Sequence, residues 1–172
     1  MSLTGNPFTS TVDLQTEMQK QALERRRKNG ASWFYWVAGL SVINSAILMS
    51  GGGMAFMFGL GITQLVDAFA LRGAGGQPGV LPIGALAVDV LLAGAIAIVG
   101  YFAFRGHTSA YISGMVLYTL DGLVVLLAGA YLSAGFHLFV LWGMWRGLEA
   151  HRALSRLSPA DQAPASLAGG AA

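Results

Sequence analysis

Hydrophobic and polar positions fall in long blocks along this chain, not in strand-like alternation. A polar head of about thirty residues is followed by apolar stretches at 31–49, 54–71, Ile83 to Phe104, 110–128 and 134–148, with short glycine-rich or charged breaks between them. The clearest block, Ile83 to Phe104, has 22 residues and a single ionisable side chain, Asp89. A helix of that length rises about 33 Å, enough to cross a hydrocarbon layer of about 30 Å. Eleven of its residues are Ile, Leu, Val or Phe. At roughly −0.3 to −0.6 kcal/mol each, they outweigh the roughly +3 kcal/mol cost of one aspartate near mid-membrane.

The pattern predicts an all-α polytopic transmembrane helix bundle of five spans, preceded by a short amphipathic helix. Ser10 and Asp13 have capping-box spacing, and a helix over 13–28 is expected to stop at Asn29-Gly30. Trp33, Tyr35 and Trp36 open the first span as a headgroup belt. The second segment is the weakest, with Gly59, Gly61, Thr63, Gln64 and Asp67 in only 18 residues. Pro82 suits the start of the third span, Thr108 and Ser109 suit caps of the fourth, and a turn is expected within 129–133. The fifth, ending at Trp142, Trp145 and Arg146, is expected to continue as helix through Glu149, Arg152 and Arg156, and the tail 158–172 is expected to be disordered.

Composition supports this reading: 55% of the residues are hydrophobic and 10% charged, against about 25% charged in soluble domains. Cysteine is absent, which removes disulfides, thiolate metal sites and cysteine nucleophiles. A net charge of +2 gives no electrostatic footprint for nucleic acid. Arg25, Arg26, Arg27 and Lys28 precede the first apolar segment and predict a cytoplasmic N-terminus, with contact to lipid headgroups. The expected location is a bacterial-type inner membrane. Five crossings put the C-terminus outside; four, with the second or fifth segment re-entrant or interfacial, put both ends inside.

Three acids, Asp67, Asp89 and Asp121, fall within apolar segments, and His137 lies early in the fifth. No Lys or Arg occupies the interior of those segments, so these four are the candidate proton or ion relay. In the five-span orientation Asp67, Asp89 and His137 lie in the cytoplasmic half. The alternative is that each acid is protonated or hydrogen-bonded to a neighbouring helix, for example to Tyr118, Thr63, Gln64 or Asn44, and fastens the bundle. Small residues at helical spacing, Gly59, Ala93, Ala97, Gly114, Gly143 and Gly147, are candidate helix-packing positions because they let backbones approach closely.

Enzymatic readings find little support. Ser133 and His137 lack a nucleophile-elbow glycine pattern, and the aspartates lie in VDA, VDV and LDG contexts unlike an intramembrane aspartyl protease. No cofactor, haem or metal motif is visible. The sequence therefore points to a noncatalytic multi-pass membrane protein acting by helix packing, as an oligomer or an accessory subunit, with the lipid bilayer and membrane subunits as partners. Proton- or cation-coupled transport through the buried acids is the alternative.

Overall fold

A computed structural model describes residues 7–49, 60–73 and 80–157, and all regular structure among them is helical. Five helices follow one another: α1 (Pro7–Met49), α2 (Gly61–Gly73), α3 (Val80–Phe104), α4 (Thr108–Leu127) and α5 (Tyr131–Arg156). Two segments, Ile83–Phe104 of α3 and Thr108–Leu127 of α4, are long and apolar enough to cross a membrane. Gly59 and the tail 158–172 lie outside the described residues.

The first helix differs from expectation. It is one rod of 43 residues beginning at Pro7, without a stop at Asn29-Gly30. Gly30 serves close approach instead: its Cα faces the bare backbone of Gly147, so that a Cβ on Gly147 would meet Gly30 Cα at 2.6 Å. Once a helix is nucleated each further residue adds a backbone bond at little cost, so a glycine against a packed neighbour need not end it. Glycines do turn the chain after α3 and α4, at Gly106 (φ +90°) and Gly129 (φ +78°), in the left-handed region that glycine adopts without penalty. Thr108 and Ser109 do not cap α4: its N-cap is His107 with no side-chain cap bond, and the Thr108 hydroxyl pairs with His151 Nε2 at 2.8 Å.

Contacts fix how the helices run. Arg27 donates to the Phe104 carbonyl at 2.7 Å, Phe34 fills the space beside Gly100 and Gly114, and Ser45 interacts with Asp89. Trp33 stacks edge-on against Phe139 at 5.4 Å and lies over Gly143. Rising numbers on α1 thus meet falling numbers on α3 and α5 and rising numbers on α4. The core gathers round α1, where Phe34, Tyr111, Val140, Met144 and Leu148 are buried together.

The second helix also departs from the expected outward-to-inward crossing. Its 13 residues span about 20 Å, short of the roughly 30 Å needed. Leu60 stands level with Ser41, and Asp67 with Ser45 and Asp89. α2 therefore runs in the same sense as α1 and begins partway along it. As a result α3 starts at the end remote from Arg27, so Asp67 and Asp89 lie in the half away from the basic cluster, not beside it.

This arrangement sorts charge and polarity. Lys20, Arg25, Arg26, Arg27, Lys28, Arg105, Arg146, Arg152 and Arg156 gather at the end where α3 stops and α4 starts, leaving only Arg72 of the ten cationic residues at the other. Large apolar side chains such as Leu91, Leu127 and Leu138 face outward, 70% or more exposed, while Ser41, Asn44, Thr63, Asp67, Asp89 and His137 are buried. Soluble domains place these classes the other way round.

Candidate functional site

The site is built round the start of α2. Leu60 precedes its first helical residue and supplies no side-chain cap, so its free N–H groups need acceptors from elsewhere. Asp121 of α4 provides two: Gly61 N–H donates to Oδ2 at 2.7 Å and Ile62 N–H to Oδ1 at 2.8 Å. Ser41 of α1 provides a third, its Oγ accepting from Leu60 N–H at 2.7 Å while its own O–H donates to the Val37 carbonyl. Thr63 folds back onto the Leu60 carbonyl at 2.7 Å. A carboxyl at a helix N-terminus also faces the positive end of the helix dipole. Gly61 is needed here, since a Cβ would run into Val125.

His137 of α5 completes this group. Its Nδ1 lies 2.8 Å from the Ser133 carbonyl and its Nε2 2.8 Å from Asp121 Oδ2. A carbonyl oxygen only accepts, so Nδ1 carries the hydrogen and donates it. The Nε2 to Oδ2 contact then needs one proton, on either atom, and the Asp121–His137 pair as a whole is neutral. Tyr118 stacks on the imidazole at 4.5 Å, with its hydroxyl buried and unpartnered.

About 9 Å further along α2, six residues on, stands the second pair. Asp67 of α2 and Asp89 of α3 are fully buried. Asp89 interacts with the Asp67 carboxyl and the Ser45 hydroxyl, yet none of the four carboxyl oxygens, nor Ser45 Oγ, has a well-formed hydrogen bond. No Lys, Arg or His neutralises them among the described ion pairs. Buried polar atoms in folded proteins are nearly always partnered, so this knot of unpaired oxygens stands out.

The four relay residues thus fall into two pairs, Asp121–His137 at the start of α2 and Asp67–Asp89 further along it. Tyr118 stacks on one of them; Thr63 serves α2 itself. Among the described residues no group of three His, Cys, Asp or Glu is arranged to hold a metal. Of the packing positions, Ala93 is buried in the core, Ala97 packs beside it, and Gly114, Gly143 and Gly147 face Phe34, Trp33 and Gly30. The basic run divides: Arg27 is buried, bonded to Glu24 and to the end of α3, while Arg25, Arg26 and Lys28 are exposed.

The sequence assigns no role to Ser41, and it places Arg27 with the headgroup-facing basic run, whereas the structure turns that side chain inward onto Glu24 and the Phe104 carbonyl. The signal for Ser41 was indirect: an apolar helix start with no local cap implies an acceptor on a neighbour. Comparison with family models, with curated proteins and with solved structures finds no match.

Proposed function

We propose that this chain is a small multi-pass membrane protein that takes up and releases a proton, or a small cation in its place, at the Asp67–Asp89 pair, and so serves proton- or cation-coupled transport. In this reading α1, α3, α4 and α5 cross the bilayer and α2 is a half-helix that starts within it and runs out to Arg72. Both termini then lie on the basic side, which the positive-inside rule assigns to the cytoplasm with nine cationic residues against one. Half-helices that start inside the bilayer are a recurring device for ion and substrate sites, because free helix ends and nearby acids meet there.

The observation that carries the reading is the buried pair of facing carboxyls. Two facing carboxylates in a dry site repel strongly, so a proton or cation between them must relieve the charge. An acid serving only to fasten helices is expected to accept well-formed bonds from backbone donors as Asp121 does; Asp67 and Asp89 instead face each other and the Ser45 hydroxyl. Ser45 adds an uncharged oxygen beside the pair, the donor type that small hard cations prefer.

A second reading, in which the chain packs as an oligomer or accessory subunit, draws on Gly39, Gly94 and Gly135, which face open space on the outer surface. Lipid covers such positions equally well, and this reading gives the buried pair no task.

The test is flux in proteoliposomes with an entrapped pH dye, in sodium-free and sodium-containing buffers. Proton or sodium-linked flux is expected for the native chain and its loss in Asp67→Asn and Asp89→Asn that still unfold as the native chain does. Absence of flux in the native chain, or undiminished flux in both variants, contradicts the proposal.

A further inference from the structure

At the basic end, away from the acid pairs, α1 and α5 part round a cavity of about 220 Å³. Arg26 and Asn29 of α1 line it together with Trp142 and Arg146 of α5, and its inner wall is Trp33 lying on Gly143. That glycine makes the wall possible, since a Cβ there would strike the indole, 2.8 Å from Cδ1. The Arg146 guanidinium rests on the Trp142 ring at 4.9 Å, a cation–π contact that does not itself use up the N–H donors. Neither Arg26 nor Arg146 takes part in an ion pair among the described residues, whereas their neighbours Arg27 and Lys28 both pair with Glu24. Toward the bundle centre the surface turns apolar, with Phe139 of α5 at 51% and Trp36 of α1 at 63% exposed.

We infer that this cavity binds one anionic phospholipid, its phosphate held by Arg26 and Arg146 and its acyl chains laid along the apolar surface beneath. Two unpaired guanidinium groups above an aromatic wall match a molecule that is a phosphate diester at one end and hydrocarbon at the other. Guanidinium groups bind phosphate through paired, charge-assisted N–H donors, and Asn29 adds an amide to the polar rim. Trp33 and Trp142 supply the amphipathic rings favoured at headgroup depth. The site is independent of the Asp67–Asp89 reading and stands or falls without it.

The test is native mass spectrometry of the full chain released from bilayers of equal phosphatidylglycerol and phosphatidylcholine. The native chain is expected to retain one phosphatidylglycerol in preference. Arg26→Gln/Arg146→Gln should lose that preference roughly tenfold or more, since each basic residue near an anionic surface is worth about 1 kcal/mol. Arg105→Gln, whose cation sits on Tyr101 elsewhere, should keep it. Arg26→Lys/Arg146→Lys, which keeps charge but not the planar fork, should fall between and guards against a folding defect. Equal retention of both lipids, an unchanged preference in the Gln double variant, or displacement of the bound lipid by millimolar inorganic phosphate would each overturn the inference, the last by making the ligand a free anion.

Discussion

Replacing Asp121 by alanine isolates what holds α2 in place. The carboxyl accepts from the Gly61 and Ile62 N–H groups at 2.7 and 2.8 Å and is joined to His137 at 2.8 Å. Truncation leaves one buried and one part-buried backbone donor, and one imidazole nitrogen, without a partner. A buried unsatisfied donor costs about 1–3 kcal/mol and a part-buried one less, so the N-terminus of α2 should lose about 2–4 kcal/mol of local stability. Since 1.4 kcal/mol is about a tenfold change in an equilibrium, amide exchange in the first turn of α2 should quicken by about thirtyfold or more. Hydrogen exchange read by mass spectrometry on peptides covering 60–73 measures this directly in detergent or nanodiscs. Asp121→Asn, with one acceptor oxygen in place of two, should lie between. Asp89→Asn, which faces α2 further on, should leave the first turn protected. Unchanged exchange in Asp121→Ala would refute the claim that α2 is anchored through its N–H groups.

Three other outcomes follow from the geometry. Gly147→Leu should disrupt the α1–α5 crossing, because its first side-chain carbon already meets Gly30 Cα at 2.6 Å; thermal unfolding should show a loss of about 1–3 kcal/mol or more, while Gly94→Leu, with open space around it, should be nearly silent. Absence of cysteine allows single-cysteine labelling in vesicles: cysteines at Lys20 and Arg156 should react from one side and a cysteine at Arg72 from the other, whereas opposite sides for the first two would support five crossings. Acid should loosen the basic end. Arg27 holds Glu24 below its ordinary 4.5, first through their hydrogen bond and then through charge, against the opposing effect of burial; that stabilisation is present above pH 4.5 and is lost as pH falls through the lowered value. Burial and then the Arg27 charge push His151 below its ordinary 6.5, against the pull of Glu24, so unfolding takes up a proton there and stability declines as pH drops below 6.5. Glu24→Gln/His151→Gln should flatten the acid side of a melting-temperature profile; an unchanged slope would contradict this.

Much of the helical layout is legible in the sequence because block hydropathy reports length and composition. The long α3 and α4 emerge from predominantly apolar segments of 22 and 20 residues, and the continuation of α5 past Arg146 follows from its helix-forming residues. Direction is another matter. Hydropathy over 54–71 counts apolar residues but carries no sign for which way a segment runs, and the way α2 runs is set by acceptors on α1 and α4 that are distant in sequence. Gly30 reads as a stop because glycine ends many helices, yet the same lack of a side chain also permits the close crossing with Gly147, and only the partner helix decides between the two. Likewise the spacing of Asp89, Ala93, Ala97 and Tyr101 marks a face at intervals of four, but that interval drifts round a 3.6-residue helix. The buried line passes instead from Ala93 to Ile96, Gly100 and Ala103, and Tyr101 is exposed. Buried acids announce themselves in an apolar block by type; which acid meets which donor does not, since depth alone leaves helix rotation free.

The proton inventory of the Asp67–Asp89 pair bears most directly on the proposed exchange site. Infrared difference spectra of the purified chain in lipid, taken across a pH series, read the carbonyl stretch of a protonated acid. The account predicts a band that changes reversibly with pH or on adding sodium and vanishes in Asp89→Asn. A protonated-acid band that stays fixed across that whole series, with sodium or without, would mean the pair is sealed in place as a fastening and exchanges nothing.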